Sequence, residues 1–321
     1  MRIVAFFLLL SVMACSTVSD QKASAIPLES LDKQELQVPH LVILGNAQDA
    51  GSPQLGCTKA CCAGLDAHEA ATRQVVSLGL VDPAIKQSWL FEATPDLTSQ
   101  IGFLSQYSNQ TLPNGIFLTH AHIGHYAGLM YLGKEALGAK ELPVYTMPRM
   151  QEFLTENGPW SQLVTNKNIA MQPMTSGNSI ALSPKLNVTP LQVPHRDEFS
   201  ETVGYRIDGP NNSALFIPDI DKWERWETDI SAALLDVDYA LLDATFFDGD
   251  ELPGRDMAQI PHPFVVESMK RFESSHDSIR KRVYFIHFNH TNPLLDETSE
   301  QTKAVLDAGY QIARRGDVLE L

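Results

Sequence analysis

The sequence predicts an α/β fold in which two mixed β-sheets pack together with helices on the outside. Three observations carry that expectation. Short apolar runs rich in Val, Ile, Leu and Phe recur along the chain, helical patterns fall irregularly between them, and about 280 residues follow Pro39 without an internal linker, enough for one sizeable core.

The first element is not mature structure. Arg2, the apolar run Ile3 to Leu10 and then Val12-Met13-Ala14-Cys15 read as an export signal over residues 1–15. The last four residues resemble the lipobox of bacterial lipoproteins, which would make Cys15 a lipid-modified N-terminus; a plain secretory signal cleaved nearby is the alternative. Ser16 suits an outer-membrane destination, and residues 16–39, mixing Ser, Gln, Lys and Asp, read as a tether to a domain over 40–321. A membrane helix needs about 20 apolar residues, and neither the signal nor any later stretch qualifies. Membrane contact is therefore expected only through the lipid anchor, on a protein facing the periplasm.

The strands expected next are His40 to Gly45, Ser88 to Ala93, Gly115 to His120, Pro143 to Thr146 and Leu186 to Val193. Thr202 to Ile207, Ala214 to Pro218, Tyr239 to Ala244 and Arg282 to Phe288 follow with the same character. Helical patterns fit Ala60 to Leu78, the neighbours of Glu135, Pro263 to Glu273 and Glu297 to Arg314. Polar residues collect where strands end, at His120 and His122, His195, Asp219, Asp243 and His287. Function in an α/β protein usually gathers at one such edge.

The net charge of −15 becomes more negative if Arg2 leaves with the signal. Such a balance excludes nucleic-acid phosphates as the main partner, because that binding depends on Lys and Arg releasing counterions. A small-molecule substrate is the expectation; nothing fixes the oligomeric state.

Thr119-His-Ala-His-Ile-Gly-His125 places three of the ten histidines within six residues, directly after an expected strand. Neutral imidazole is the commonest side-chain ligand for zinc and related ions, and two histidines one residue apart at a strand end can bind one ion from the same side. An isolated histidine such as His40, His68 or His276 reads instead as surface or satisfied core.

On these residues the chain resembles the metallo-β-lactamase-fold hydrolases, and more narrowly the coenzyme PQQ synthesis protein B branch. The family hallmark HxHxDH reads here His120-Ala-His122-Ile-Gly124-His125. The third histidine matches His195 in Val-Pro-His-Arg-Asp-Glu, the metal-bridging aspartate matches Asp219 in Phe-Ile-Pro-Asp-Ile-Asp, and the late histidine matches His287 in Phe-Ile-His-Phe-Asn-His. The narrower likeness rests on Ala93-Thr-Pro-Asp-Leu97, the Cys57 region and His287 to Leu295. The resemblance implies an αββα sandwich with one or two zinc ions at one edge, manganese or iron being alternatives. It also implies a metal-bound hydroxide that attacks an ester, lactone, lactam, thioester or phosphodiester bond.

The departures shape the rest. Gly124 stands where the hallmark has an aspartate, and glycine cannot ligate. Either His120, His122 and His195 hold a single ion, or His125, Asp219 and His287 hold a second with help from Asp49, Asp96 or Asp243, each of which reads equally as a turn or cap. On that reading Gly124→Asp should raise the ion count. His262, in the rigid Ile-Pro-His-Pro, is a candidate general acid or base, or a surface histidine. His290, three residues past His287, is a candidate replacement ligand or orienting group.

Cys57, Cys61 and Cys62 cluster in Gly-Cys-Thr-Lys-Ala-Cys-Cys. The resemblance implies a structural zinc with an unknown fourth ligand; in an oxidising compartment a disulfide plus one free thiol competes. Trp160, Trp223, Trp226, Phe246 and Phe247 could line a substrate pocket or simply pack. Three functional readings follow: a metallo-hydrolase, a PQQ-biosynthesis-like protein with an oxidative or cofactor-binding role, and a non-catalytic metal-binding lipoprotein.

Overall fold

A computed structural model describes residues 36–252 and 254–321. The signal, Cys15 and nearly all of the 16–39 tether lie outside the described residues. The first half contributes β1 (His40–Gly45), β2 (Ser77–Asp82), β3 (Gln87–Phe91), β4 (Ile116–Phe117), β5 (Leu142–Thr146) and β6 (Ile169–Pro173). The second contributes β7 (Ile180–Ser183), β8 (Leu186–Gln192), β9 (Val203–Asp208), β10 (Ser213–Ile217), β11 (Tyr239–Asp243), β12 (Val283–Ile286) and β13 (Gln311–Ile312). A last strand, β14 (Val318–Glu320), returns to pair with β1.

Two seven-stranded sheets result, ordered β14-β1-β2-β3-β4-β5-β6 and β13-β12-β11-β10-β9-β8-β7. Each is half antiparallel and half parallel. β3 to β6 and β10 to β13 run parallel, so their C-terminal ends meet at one edge of the sandwich.

Alternation along the strands sorts the apolar residues into three layers. In β10, Ala214 and Phe216 join Leu41, Ile43, Phe91 and Tyr205 between the sheets, while Leu215 and Ile217 face outward beneath helices. Leu97 and Leu104 of the helix Leu97–Ser108, with Met150 and Leu154 of Pro148–Glu156, cover the first sheet. Val265 and Phe272 of Val265–Phe272 and Val305 of Glu300–Asp307 cover the second. Burying one such side chain stabilises the fold by about 1.5–3 kcal/mol, so both faces of both sheets are committed. The architecture is the expected αββα sandwich.

Three expected helices differ. Ala60 to Leu78 is two short helices, Ala60–Ala63 and Ala67–Thr72, followed by β2, because Val76-Ser-Leu-Gly-Leu-Val pairs on both sides with β1 and β3. Around Glu135 there is only the 3₁₀ turn Ala127–Leu132 and the turns after it. Glu297 to Arg314 is helical only over Glu300–Asp307, since Gly309 turns the chain with φ +90° and Gln311–Ile312 becomes an edge strand.

Candidate metal centre

His120 and His122 follow β4, and His122 is the N-cap of the short helix Ile123–Tyr126 that carries His125. His195 follows β8, Asp219 follows β10, Asp243 ends β11 and His287 follows β12. His287 adopts φ +70° and Glu92, just past β3, φ +76°. A left-handed residue other than glycine costs of order 1–3 kcal/mol, and both here turn the chain out of a strand into the same buried cluster.

Two groups of donor atoms converge. His120 Nε2 lies 2.8 Å from His122 Nδ1, which lies 3.3 Å from His195 Nε2; Asp219 Oδ2 is 3.4 Å from His120 Nε2 and 3.2 Å from His195 Nε2. Beside them His125 Nε2 and His287 Nε2 lie 3.0 and 3.4 Å from Asp49 Oδ1, with Asp219 Oδ2 at 3.9 Å from His125 Nε2. Tetrahedral bonds of 2.0–2.1 Å give ligand-to-ligand edges of about 3.3 Å, close to these separations. Asp219 Oδ2 thus belongs to both groups.

The outer nitrogens test whether the histidines suit an ion. His120 Nδ1 faces Thr119 Oγ1 at 2.9 Å, His122 Nε2 faces Glu198 Oε2 at 3.1 Å, and His125 Nδ1 faces Glu92 Oε1 at 3.2 Å. His287 Nδ1 faces Thr245 Oγ1 at 2.9 Å, and His195 Nδ1 is within 3.4 Å of Asp221 Oδ1, an ion-pair distance without hydrogen-bond alignment. Four of the five ligand histidines thus have an oxygen within hydrogen-bond reach of the outer nitrogen, which leaves a lone pair facing inward, and His195 has the Asp221 carboxylate near its outer nitrogen without a formed hydrogen bond. Burial holds His120 well below the usual histidine range and lowers His122, favouring the neutral ligand form. Burial opposes charge on His195 too, but Asp219 outweighs it and raises the group to about 9. Burial likewise resists ionisation of Asp219, yet His195 and His262 hold it well below the carboxylate range. The donor set fits one or two divalent ions.

The sequence could not place Glu92, Thr119, Asp221, Thr245 and Glu198, because orienting groups carry no spacing. Asp49 and Asp243 come to the site. Asp96 does not; its carboxylate accepts from the Val75 N–H at 2.8 Å. His262 Nδ1 lies 2.9 Å from Asp243 Oδ2 and 3.2 Å from Asp219 Oδ1, at the rim of both groups. Burial opposes its charge, but Asp243 and Asp219 raise it to about 10. Its loop is held by Phe246, Met257, Ile260 and Phe264, a separate small apolar cluster. Trp223 is buried in the outer core, and Trp160, Trp226 and Phe247 pack against core clusters. The aromatics thus pack.

His290 corrects an expectation. It does not join the histidine centre; it stands with Cys57, Cys61 and Cys62, one ligand atom of each lying within 4.8 Å of the others. The turn after His287 carries it away from the histidine centre, and its buried Nδ1 has no hydrogen-bond partner. The three cysteines are free, with Sγ atoms 3.9 Å apart from 57 to 61 and from 61 to 62, too far for a disulfide near 2.05 Å. Three thiols and an imidazole are a closed structural set.

Glu251 links this region to the His262 loop. It accepts from the Thr291 hydroxyl and from the Phe247 N–H at 2.6 Å, and burial raises its carboxyl to about 7. Because the folded value lies above the unfolded one, near 4.3, this group's stabilisation is complete below about pH 4.3 and is lost as the pH rises through about 7. Glu251→Gln should therefore raise the melting temperature at pH 8 relative to the parent, and not at pH 4. An equal shift at both values would refute the assignment.

Residues 88–288 match the family described as Beta-lactamase superfamily domain. Coenzyme PQQ synthesis protein B of Methylorubrum populi is 25% identical over 313 residues, covering 88% of this chain and all of that protein. Its counterpart in Pseudomonas savastanoi pv. phaseolicola is 26% identical over 320 residues, with the same coverage. Among solved structures, Zn(2+)-bound PqqB from Methylobacterium extorquens superposes with a TM-score of 0.72 at 23% identity, over 88% of this chain and 100% of that one. A diphosphatase from the PhnP family gives 0.61 at 23% identity, over 88% and 97%.

Proposed function

Since the chain belongs to the Beta-lactamase superfamily, we propose that it is a metal-dependent hydrolase that cleaves an ester, lactone, lactam or phosphodiester bond of a small molecule. The observation that carries this reading is Asp219 Oδ2, shared by two converging donor groups at the mouth of the sandwich. Zinc suits these nitrogen and oxygen donors, with manganese and iron as alternatives. A divalent ion held there supplies Lewis-acid polarisation of the scissile bond and lowers the pKa of water from 15.7 to about 7.

The chain's own residues do the rest. Asp243 Oδ2 holds His262 Nδ1, so the transferable proton sits on Nε2. The His262 ring centre lies 5.5 Å from that of His195 and 6.3 Å from that of His287, between the two groups, where it can protonate a departing oxygen. Thr245 donates to Asp243 Oδ1 at 2.7 Å and fixes that carboxylate. His122, 14% exposed, marks the open side from which substrate enters. Residues 1–15 support placing the protein outside the cytoplasm, anchored through Cys15.

A second reading, a biosynthetic protein like coenzyme PQQ synthesis protein B with an oxidative or cofactor-binding role, is favoured by similarity along the full length of those relatives. Elemental analysis of the purified chain, coupled to assays on phosphodiester, lactone and β-lactam compounds, separates the two. Zinc or manganese with turnover supports the hydrolase; iron without hydrolysis favours the second reading. One further ion should be lost or held more weakly on His290→Ala together with a lower melting temperature, and an unchanged count and melting temperature would show that His290 is not a ligand of the thiol cluster.

A further inference from the structure

We propose that Asp49, on the loop after β1, supplies the carboxylate of the second ion position, and that Gly124 is glycine so that Asp49 can reach it. This rests on the metal-loaded centre proposed above. Asp49 Oδ1 lies 3.0 Å from His125 Nε2 and 3.4 Å from His287 Nε2, with Asp219 Oδ2 completing the group. The side chain is 16% exposed, so it faces the site and not bulk water.

The loop that carries Asp49 is fixed where it matters. Ala47 bridges Val75 on one side and Phe288 on the other, the Gln48 N–H donates to the Phe288 carbonyl at 2.7 Å, and the Phe288 N–H donates to the Asn46 carbonyl at 2.8 Å. Phe288 is the residue after His287, so one set of backbone bonds places both Asp49 and His287.

Gly124 explains the approach. It is helical, so its backbone does not require glycine. A Cβ at this position would fall 2.4 Å from Asp49 Cα, 2.7 Å from its Cβ and 2.8 Å from its Cγ. Real Cβ atoms do not come so close, and the first clash is with backbone, which cannot rotate away. Asp49 therefore occupies the volume that a side chain at 124 would fill. This corrects the expectation that Gly124→Asp raises the ion count: an aspartate there pushes aside the loop that already delivers a carboxylate.

The test is zinc and cobalt(II) titration of the metal-stripped full chain. Intense thiolate-to-cobalt absorption identifies the cysteine cluster and leaves the histidine centre to be counted apart. The parent should bind two ions at the histidine centre. Asp49→Asn, which keeps shape and folding, should weaken the second ion by roughly a hundredfold or more and spare the first. Gly124→Ala, which removes no ligating atom, should do the same. Parent-like binding by either variant overturns the proposal, as does a parent that binds one ion there, in which case Asp49 is only a charge partner for His125. Ion counting does not depend on turnover, so absent hydrolysis would defeat the hydrolase reading and leave this test intact.

Discussion

Asp219→Asn should weaken ion binding at both positions of the histidine centre and lower turnover by about a thousandfold while the chain stays folded. Oδ2 of this residue is the one atom common to both donor groups, and the side chain is only 3% exposed. The amide keeps the shape but replaces one anionic oxygen with an NH₂ that cannot ligate. If a bound ion contributes several kcal/mol of transition-state stabilisation, its loss at 1.36 kcal/mol per tenfold gives that factor. Metal content and initial rates on one preparation decide it. Retention of two ions with parental turnover would show that Asp219 is a neighbour of the centre and not its bridge.

His262→Gln should lower turnover by about 10²–10⁴-fold and leave the metal content unchanged, the range expected when a positioned acid is removed. The discriminating readout is the leaving group. A substrate that releases nitrophenolate needs little protonation, so the loss should shrink there and stay large for an alkoxide. An equal loss on both would mean that His262 only supports its loop, which the cluster of Phe246, Met257, Ile260 and Phe264 makes a physical alternative.

Much of this was legible in the sequence, for identifiable reasons. Strands buried on both faces, such as Ser213–Ile217 and Tyr239–Asp243, read as unbroken apolar runs, and the histidine segment stands out because three imidazoles so close have few other uses. The helix Leu97–Ser108 was not legible: its Thr, Ser and Gln blur the apolar stripe, and only Leu97 and Leu104 are buried apolar residues. Edge strands such as Ile169–Pro173 are half exposed and lack the apolar run that marks central ones. At the site, Glu92 precedes the histidine segment by a helix and a strand, and its role is set by the fold. His290 misled for the opposite reason. Nearness in sequence to His287 suggests a shared site, but a single turn places the two in different donor clusters.

The arrangement of Cys57, Cys61, Cys62 and His290 has a consequence for how much folded protein exists. An ion shared by Cys62 and His290 would cross-link points roughly 230 residues apart, and closing so long a loop removes more unfolded-chain entropy than the roughly 4.7 kcal/mol reckoned for a 100-residue one. Because an ion favours the folded state by mass action, about 2.7 kcal/mol when present at a hundred times its dissociation constant, fold stability becomes a function of the free metal around the protein. Scarcity of metal would then be felt as fewer folded molecules surviving proteolysis, in addition to any loss of ions from the histidine centre.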